Sequence, residues 1–397
     1  MSQNLQKTPD PVIQAPATGE AAAAMLRTAS ERRQSVVIRG AGTKFDWGRP
    51  PTAIDLILET RGLNRILAHA HGDLTATIEA GASLADVNRA LASHGQWLPL
   101  DPPFADRATI GGLLATNDSG PLRHRHGTPR DLVIGVHLAT TDGVIAKAGG
   151  QVVKNVAGYD LSKLVTGSFG SLAAIVSATF KLAPVPASSK TLRVTVRDFD
   201  ALAAHVRTIM ASQVEPVAFD VAHASSNRRR SLCLLIRFAS LPQVVDAQIE
   251  AARRLLGHAA SYDVLDDDAE RACWHEHDAA IWNAPGMIVR ASWMPATIAH
   301  ALAELERTGG ADVELIGRAA VGAGLIRFDA DVSAQARLVN ELRRSRSFAN
   351  IVVRRGSRAL AALVDVWGPL GDRGPLLATL KQTLDPHGTL NAGRGPL

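Results

Sequence analysis

Small apolar and charged residues fall at helical spacing in GEAAAAMLRTASERR, the β-branched run SVVIR follows, and that run stops at the glycine-rich GAGTK. Helix, strand and tight loop in succession predict an α/β opening. LTATIEAG alternates like a half-buried strand. SLADVNRALASHG predicts a helix with Ser83 as N-cap, Asp86 in its first turn and Gly95 beyond its end. The strand pattern WLPLD is stopped by Pro102 and Pro103.

From Thr109 the pattern shifts to short helices, glycine turns and strands. VIGVHLATTDGVIAKAGG predicts a hairpin around Asp142-Gly143, YDLSKLVTGSFGSL a short helix and tight turn, and AAIVSATFKLAPVP a strand running into a proline-bearing linker. A domain boundary is expected near Ala187. Beyond it, strands TLRVTV, PVAFDVA and SLCLLIRF interleave with helices DALAAHVRTIMAS and VVDAQIEAARRLLG. After a helical insert, DDDAERACWHEHDAAI, the order returns in GMIVRASW, TIAHALAELERT, DVELIGRAAVG, GLIRFDA, AQARLVNELRRS and NIVVRRG. The repeated β-α-β-β-α order predicts a duplicated, ferredoxin-like split-βαβ pattern: an antiparallel sheet with helices on one face, in an α+β protein. The expected division is residues 1–187, residues 188–375 as a cap, and residues 376–397 as a C-terminal helix and glycine-rich tail.

Composition changes this picture little. A chain of 397 residues, 46% hydrophobic and 20% charged, can bury two or three cores and has the composition of a soluble globular protein. The net charge of +5 is spread along the chain rather than gathered with aromatics, which argues against a nucleic-acid partner. Cys233 and Cys273 lack CxxC spacing and cannot hold an iron–sulfur cluster themselves. The N-terminus has no apolar leader pattern and no window approaches 18 apolar residues, so a cytoplasmic location is expected, with membrane contact only through partners.

The chemistry concentrates in glycine loops. RGAGTK follows a strand, TIGG opens a helix, and KNVAGYD precedes another; each can aim backbone N–H groups at an anion. Glycine costs about 1 kcal/mol against alanine in a helix, so Gly111 and Gly112 imply a large group lying against the backbone. Several charge-assisted hydrogen bonds of about 1.5–3 kcal/mol each to a diphosphate would outweigh that loss. Other phosphate motifs fail: a dinucleotide fingerprint needs glycine where Phe45 stands, and no Walker loop is present. TGSFG has Thr166 where a nucleophile elbow needs glycine.

VVIRGAGTK, RATIGGLLATNDSG, DLVIGVHLATTDG, GGQVVKNVAGYDLSKLVTGSFGSLAAIVSATFKL and LDPHGTLNAGR, in this order, resemble the FAD-binding domain of the vanillyl-alcohol oxidase and para-cresol methylhydroxylase (PCMH) superfamily. Within it the run from Gly150 to Leu182 is most similar to the FAD-binding subunits of bacterial glycolate oxidases. The resemblance implies FAD stretched between two α/β subdomains of residues 1–187, with the cap over the isoalloxazine and residues 376–397 returning to the FAD domain. It implies that Arg39, Gly40, Ala41, Gly42 and Thr43 wrap the diphosphate from one side. Thr109, Ile110, Gly111 and Gly112 approach from the other, with Ser119 and Gly120 nearby. Asn155, Gly158, Tyr159 and Asp160 are placed near the cofactor, and the Ile175 backbone at the adenine end. Thr43 and Lys44 stand where covalent relatives carry histidine, which implies non-covalent FAD.

The implied function is oxidation of glycolate, a 2-hydroxy acid, to glyoxylate, with a larger FAD-containing catalytic subunit and an iron–sulfur subunit as partners. The catalytic residues stay unassigned, because residues 190–397 lack the HxGDGNxH motif of catalytic relatives. Two alternatives stay open: a non-catalytic flavin carrier or assembly subunit, and a stand-alone FAD-dependent D-2-hydroxy-acid dehydrogenase. CWHEHD holds metal-ligand residue types, but residues two apart on a helix face apart, so a solvated polar helix is expected there and no metal. RHRH, Arg123 to His126, reads equally as a solvated loop or an anion-attracting one. Arg290, Arg318 and Arg327 on cap strands could clamp a carboxylate, but salt bridges are the expected use.

Overall fold

A computed structural model describes residues 10–150, 159–226, 229–257, 261–310 and 313–395. Strand β1 (Val12–Gln14), helix α1 (Gly19–Glu31), β2 (Val36–Arg39) and β3 (Leu56–Glu59) open the fold. The three strands form a parallel sheet in the order β1-β3-β2. Thr18 caps α1 by accepting from the Ala21 amide, and Ala22, Ala23, Leu26 and Ala29 bury one helix face at helical spacing.

Next come β4 (Ile66–Ala70), β5 (Thr75–Glu79), α2 (Leu84–Leu91), β6 (Gln96–Trp97), α3 (Ile110–Thr116), α4 (Arg123–His126) and α5 (Pro129–Leu132). They are followed by β7 (Val133–Ala139), β8 (Ile145–Gly149), α6 (Leu161–Val165), β9 (Ala174–Lys181) and β10 (Ala183–Pro184). A five-stranded antiparallel sheet runs β4-β5-β9-β7-β8. β5 is buried at all five positions because neighbours flank it on both edges and side chains cover both faces, so its alternation does not mark a solvent face. WLPLD contributes only Trp97 to a two-residue strand with Gln96; Leu98 and Leu100 are buried before Pro102 and Pro103. Ser83 caps α2 and Gly95 closes its last turn at φ +64°.

β6 and β10 pair with each other, and the remaining strands make one antiparallel sheet of eight. β11 (Ser188–Thr195), α7 (Phe199–Met210), β12 (Ala218–Ser226), β13 (Arg229–Ser240), α8 (Pro242–Leu256) and β14 (Ser261–Asp266) form one β-α-β-β-α-β unit. After α9 (Asp267–Trp282), the order repeats in β15 (Met287–Ser292), α10 (Ile298–Gly309), β16 (Val313–Arg318), β17 (Ala323–Phe328), α11 (Val332–Arg344) and β18 (Asn350–Arg355). The strand order β14-β11-β13-β12-β16-β17-β15-β18 joins the units through the second strand of each, with Asp220 opposite Arg318. Each unit is completed by a fourth strand; the sequence pattern missed β14.

Period-two alternation sorts the sheet's faces. Val289, Ala291, Val313, Leu315, Ile351 and Val353 join the core formed with α7, α8, α10 and α11. Ile288, Arg290, Ile316, Arg318, Val352 and Arg354 fall on the opposite face, where α9 brings Ile281 and Trp282 against Ile288, Ile316 and Trp47. The Trp47 and Trp282 rings stack with centroids 4.9 Å apart.

After α12 (Arg358–Leu363) and α13 (Arg373–Leu384), the chain returns to its beginning. Leu390 bridges Val36 in parallel, and the Asn391 amide donates to the Val36 carbonyl at 2.8 Å. The turn is held by Lys381, whose Nζ donates to Asp385 (2.5 Å), to the Ser171 carbonyl (2.8 Å) and to the Leu390 carbonyl (2.9 Å). Asp385 in turn accepts from the Thr389 and Leu390 amides. Removing one partner of a buried pair strands the other charge. Lys381→Met is therefore expected to lose about 3–5 kcal/mol in denaturant unfolding and to speed proteolysis near residues 385–395; unchanged stability would contradict this account.

Candidate functional site

The loop after β2 leaves its backbone donors unused. Among the described residues, the amides of Gly40, Ala41, Gly42, Thr43 and Lys44 donate to no protein acceptor, while the next, Phe45, donates to the Gly42 carbonyl. Gly42 sits at φ +74°, a conformation that costs an L side chain roughly 1–2 kcal/mol. Such a run of bare amides forms an anion-binding concavity. Arg394 fixes its far end by donating to the Lys44 carbonyl at 2.8 Å and the Phe45 carbonyl at 2.5 Å. Arg39 is tied to Glu59 at 2.7 Å.

Helix α3 meets this loop closely. A Cβ on Gly40 would come within 2.1 Å of the Thr109 Oγ1, so the absence of a side chain at residue 40 is what lets the two loops touch. The start of α3 supplies fewer donors than its sequence suggests: Ile110 donates to the Ala82 carbonyl and Gly111 to the Ala80 carbonyl. Gly111 is required by the protein itself, since its Cβ would lie 2.8 Å from that of Ala80. Ile110 buries its side chain in the core. Gly112 is different; a Cβ there would meet only Thr109 Oγ1 at 3.2 Å and otherwise point into open space.

That space is a cleft lined by Arg39, Gly40, Ala41, Gly42, Thr43, Thr109, Gly112, Thr116 and Phe169. A second cavity shares Gly40, Gly112, Phe169 and Asn391 with it and reaches Thr60, Gly111, Gly170 and Ile175. Asn391, at φ +45°, donates to the Phe169 carbonyl and leaves its buried Oδ1 without a partner. Unused amides that can donate, an orphaned amide oxygen that can accept and a glycine-lined floor together fit a group carrying both a phosphate and hydrogen-bond donors. The sequence reasoning quoted LDPHGTLNAGR without assigning Asn391 or Arg394; only the return of the C-terminus brings them here.

Other expected residues lie elsewhere. Ser119 lines a separate chamber. Gly120 packs on Asp101, whose carbonyl a Cβ would meet at 1.8 Å. Asp160 caps α6, accepting from the Lys163 amide at 3.1 Å, and faces a groove shared with Arg130 and Arg373. Tyr159 is 91% exposed. Asn155 and Gly158 lie outside the described residues.

Ser119's chamber lies between the two halves, lined by Asn117, Asp118, Arg123, Arg290, Arg318 and Arg354. An adjoining cavity shares Asn117, Arg290 and Arg354 with the chamber, and Thr116 and Phe169 with the first cleft, so it lies between the two. RHRH is thus a short helix whose Arg123 lines this chamber. Burial pushes Arg354 down to about 9 and Arg123 to about 10, and it lowers Arg290 as well, each helped by a neighbouring guanidinium. Arg327 lies apart, paired with Glu314 at 2.7 Å. Burial also lowers Lys44, opposed by Asp118 at 3.4 Å.

CWHEHD is solvated only in part: His275 and Glu276 are exposed, but its other face is turned inward. His277 is buried, its Nε2 2.9 Å from Asp220, because α9 lies against the sheet. Burial opposes ionisation of Asp220, but Arg318 and His277 outweigh it and hold the carboxyl low. Asp278 goes the other way: burial pushes it up to about 6 despite His277 and Arg318. Asp101 is raised further, by burial and by Asp278. Among the described residues no cluster of His, Cys, Asp or Glu could hold a metal ion, and no helix is long and apolar enough to cross a membrane.

Residues 10–149 match the family model described as the FAD binding domain. The chain carries a PCMH-type FAD-binding domain. The bound cofactor of this FAD-binding domain is FAD. The chain is 37% identical over 215 residues to glycolate oxidase subunit GlcD of Bacillus subtilis (strain 168), covering 54% of this chain and 46% of that one. It is 39% identical over 159 residues to glycolate oxidase subunit GlcE of Escherichia coli (strain K12), covering 40% and 45%. It therefore spans less than half the length of either relative in these matches. Its fold is similar to that of an alkyldihydroxyacetonephosphate synthase, with a TM-score of 0.71 at 16% identity over 96% of this chain and 75% of that one.

Because Asp278 binds its proton more tightly folded than unfolded, the folded state is favoured at low pH. That advantage is lost as pH rises from about 4 through about 6. Asp278→Asn is expected to flatten stability over that interval and to raise it at pH 7 by about 3 kcal/mol at most. Urea unfolding at pH 4, 5, 6 and 7 checks this; parallel profiles for the two proteins would refute it.

Proposed function

We propose that this chain is the FAD-binding subunit of a glycolate oxidase complex, taking part in oxidation of a 2-hydroxy acid to the 2-oxo acid. The observation that carries the reading is a row of adjoining cavities. Bare amides at Gly40–Lys44 face a cleft that borders, at Thr116 and Phe169, a cavity whose other walls, Asn117, Arg290 and Arg354, belong to an arginine-lined chamber under the eight-stranded sheet.

In this reading the amides of Gly40, Ala41, Gly42 and Thr43 hold the diphosphate, with Gly112 admitting it from the α3 side. Ile175 and Asn391 border the adenine end. Bound FAD supplies a two-electron acceptor. Arg290 and Arg354 hold the substrate carboxylate, and the stacked Trp47 and Trp282 with Phe104 help exclude water from the chamber. FAD is held non-covalently, since Thr43 and Lys44 occupy the place of the linking histidine. The proposed partners are a larger FAD-containing catalytic subunit and an iron–sulfur subunit; the two relatives' names as subunits support an assembly.

One observation favours the carrier alternative as a second reading. Among the described residues no histidine lines the chamber, so no imidazole is placed there to take the hydroxyl proton. Bleaching of the purified chain's flavin by glycolate under anaerobic conditions would exclude the carrier; a flavin that bleaches only with the partners present would support it.

Gly112→Val tests the cofactor placement more cleanly than Gly111→Val, which would collide with Ala80. Valine at residue 112 fits the helix but fills the cleft. Overpacking of this kind costs about 1–3 kcal/mol, so FAD should bind about five- to a hundredfold more weakly with unchanged far-ultraviolet circular dichroism. Acid precipitation of the wild-type protein should release its flavin into solution. A well-folded wild-type chain that takes up no FAD would overturn the proposal.

A further inference from the structure

The chamber's charges do not balance. Asp118 is matched by Lys44 at 3.4 Å, and Asp220 by His277 at 2.9 Å with Arg318 at 3.7 Å. The guanidinium groups of Arg123, Arg290 and Arg354 make no hydrogen bond or close ion pair to any acceptor among the described residues, and Arg354 is 5% exposed with its Nη1 orphaned. It lies against the rings of Trp47 and Phe169, at 5.3 and 5.6 Å, which attract a cation but accept no N–H in its plane, and it feels Asp118 only through space. A single carboxylate satisfies one guanidinium fork. More guanidinium forks are left without a bonded acceptor than a glycolate-sized monoanion can engage.

The surplus is also spread out. Arg290 and Arg354 border both cavities; Arg123 and Ser119 lie on one side, Ser292 and Asn350 on the other. We propose that this chamber binds a small dicarboxylate, one carboxylate engaged from each side, so that the 2-hydroxy acid handled here carries a second acidic group. The assignment of the dicarboxylate as substrate rests on the oxidoreductase reading above. Binding of the dianion itself does not require FAD.

The arginines give the test its second arm. A buried guanidinium placed for a ligand is a cost to the free protein, so an isosteric apolar replacement leaves stability unchanged or raises it. A structural arginine behaves oppositely. Thermal unfolding of the flavin-free and FAD-loaded full chain, at fixed ionic strength, is measured with malonate, succinate, acetate, glycolate and inorganic phosphate. The expected result is protection by a dicarboxylate, at a concentration at least tenfold below that needed for acetate, glycolate or phosphate. Protection should vanish in Arg290→Met and Arg354→Met, whose unliganded melting temperatures stay level or rise, while Arg327→Met, which loses its pair with Glu314, melts lower.

Equal protection by monocarboxylates, stronger protection by phosphate, persistence of the effect in both variants, or a lower melting temperature in unliganded Arg354→Met would each overturn the proposal. Loss of FAD uptake with dicarboxylate protection intact would count against the cofactor reading alone.

Discussion

A backbone amide needs an acceptor from protein, water or ligand, and the loop after β2 presents five in succession that no protein group satisfies. The protein tolerates this because the loop is clamped at both ends. Arg39 is tied to Glu59 before it, and Arg394 holds the carbonyls of Lys44 and Phe45 after it. The anchoring residue arrives from the far end of the chain, through the parallel bridge of Leu390 to Val36 and the buried Lys381–Asp385 pair. Completion of the anion cradle is thus coupled to docking of the C-terminal segment. Gly40 against Thr109 then fixes the cradle's distance from α3.

The second organising constraint is the pleat of the eight-stranded sheet. One face is apolar and covered by four helices, so every residue of opposite parity must face α9 and the FAD-binding domain. Arg290, Arg318 and Arg354 share that parity on three different strands. Joining the two β-α-β-β-α-β units through β12 and β16 then sets Asp220 beside Arg318 and lets α9 seat His277 on the same carboxylate. Asp220 is consumed by that internal pairing, which is why the neighbouring arginines keep their charge unspent.

Local chemistry was readable from the sequence where it is decided locally. Ser83 and Gly95 mark the ends of one helical stretch because capping and a left-handed turn depend on a few adjacent residues. The doubled β-α-β-β-α order was visible because each segment keeps its own periodicity. Residues whose role depends on a distant partner were not legible in the same way. Gly111 looks like a cofactor glycine but answers to Ala80; Gly120 answers to Asp101. His277 and Asp278 look solvated in a polar helix, and become buried and half-buried respectively only because α9 crosses the sheet. Asn391 and Arg394 carry no local signal of a site more than 340 residues away in sequence.

The same comparison explains how an arginine can be read wrongly in either direction. Arg327 and Arg290 occupy equivalent faces of adjacent strands, but Arg327 has Glu314 across the strand pair and the Pro285 carbonyl beside it. Its guanidinium is fully used, and the interaction holds the sheet. Arg290 faces Leu325 and Val352 across its pairs, neither of which can accept a proton. Burial without a partner is unfavourable by several kcal/mol for a charge, a cost that folding alone gives no reason to retain. The cross-strand neighbour, rather than the arginine itself, is therefore what separates a structural cation from one held for a ligand.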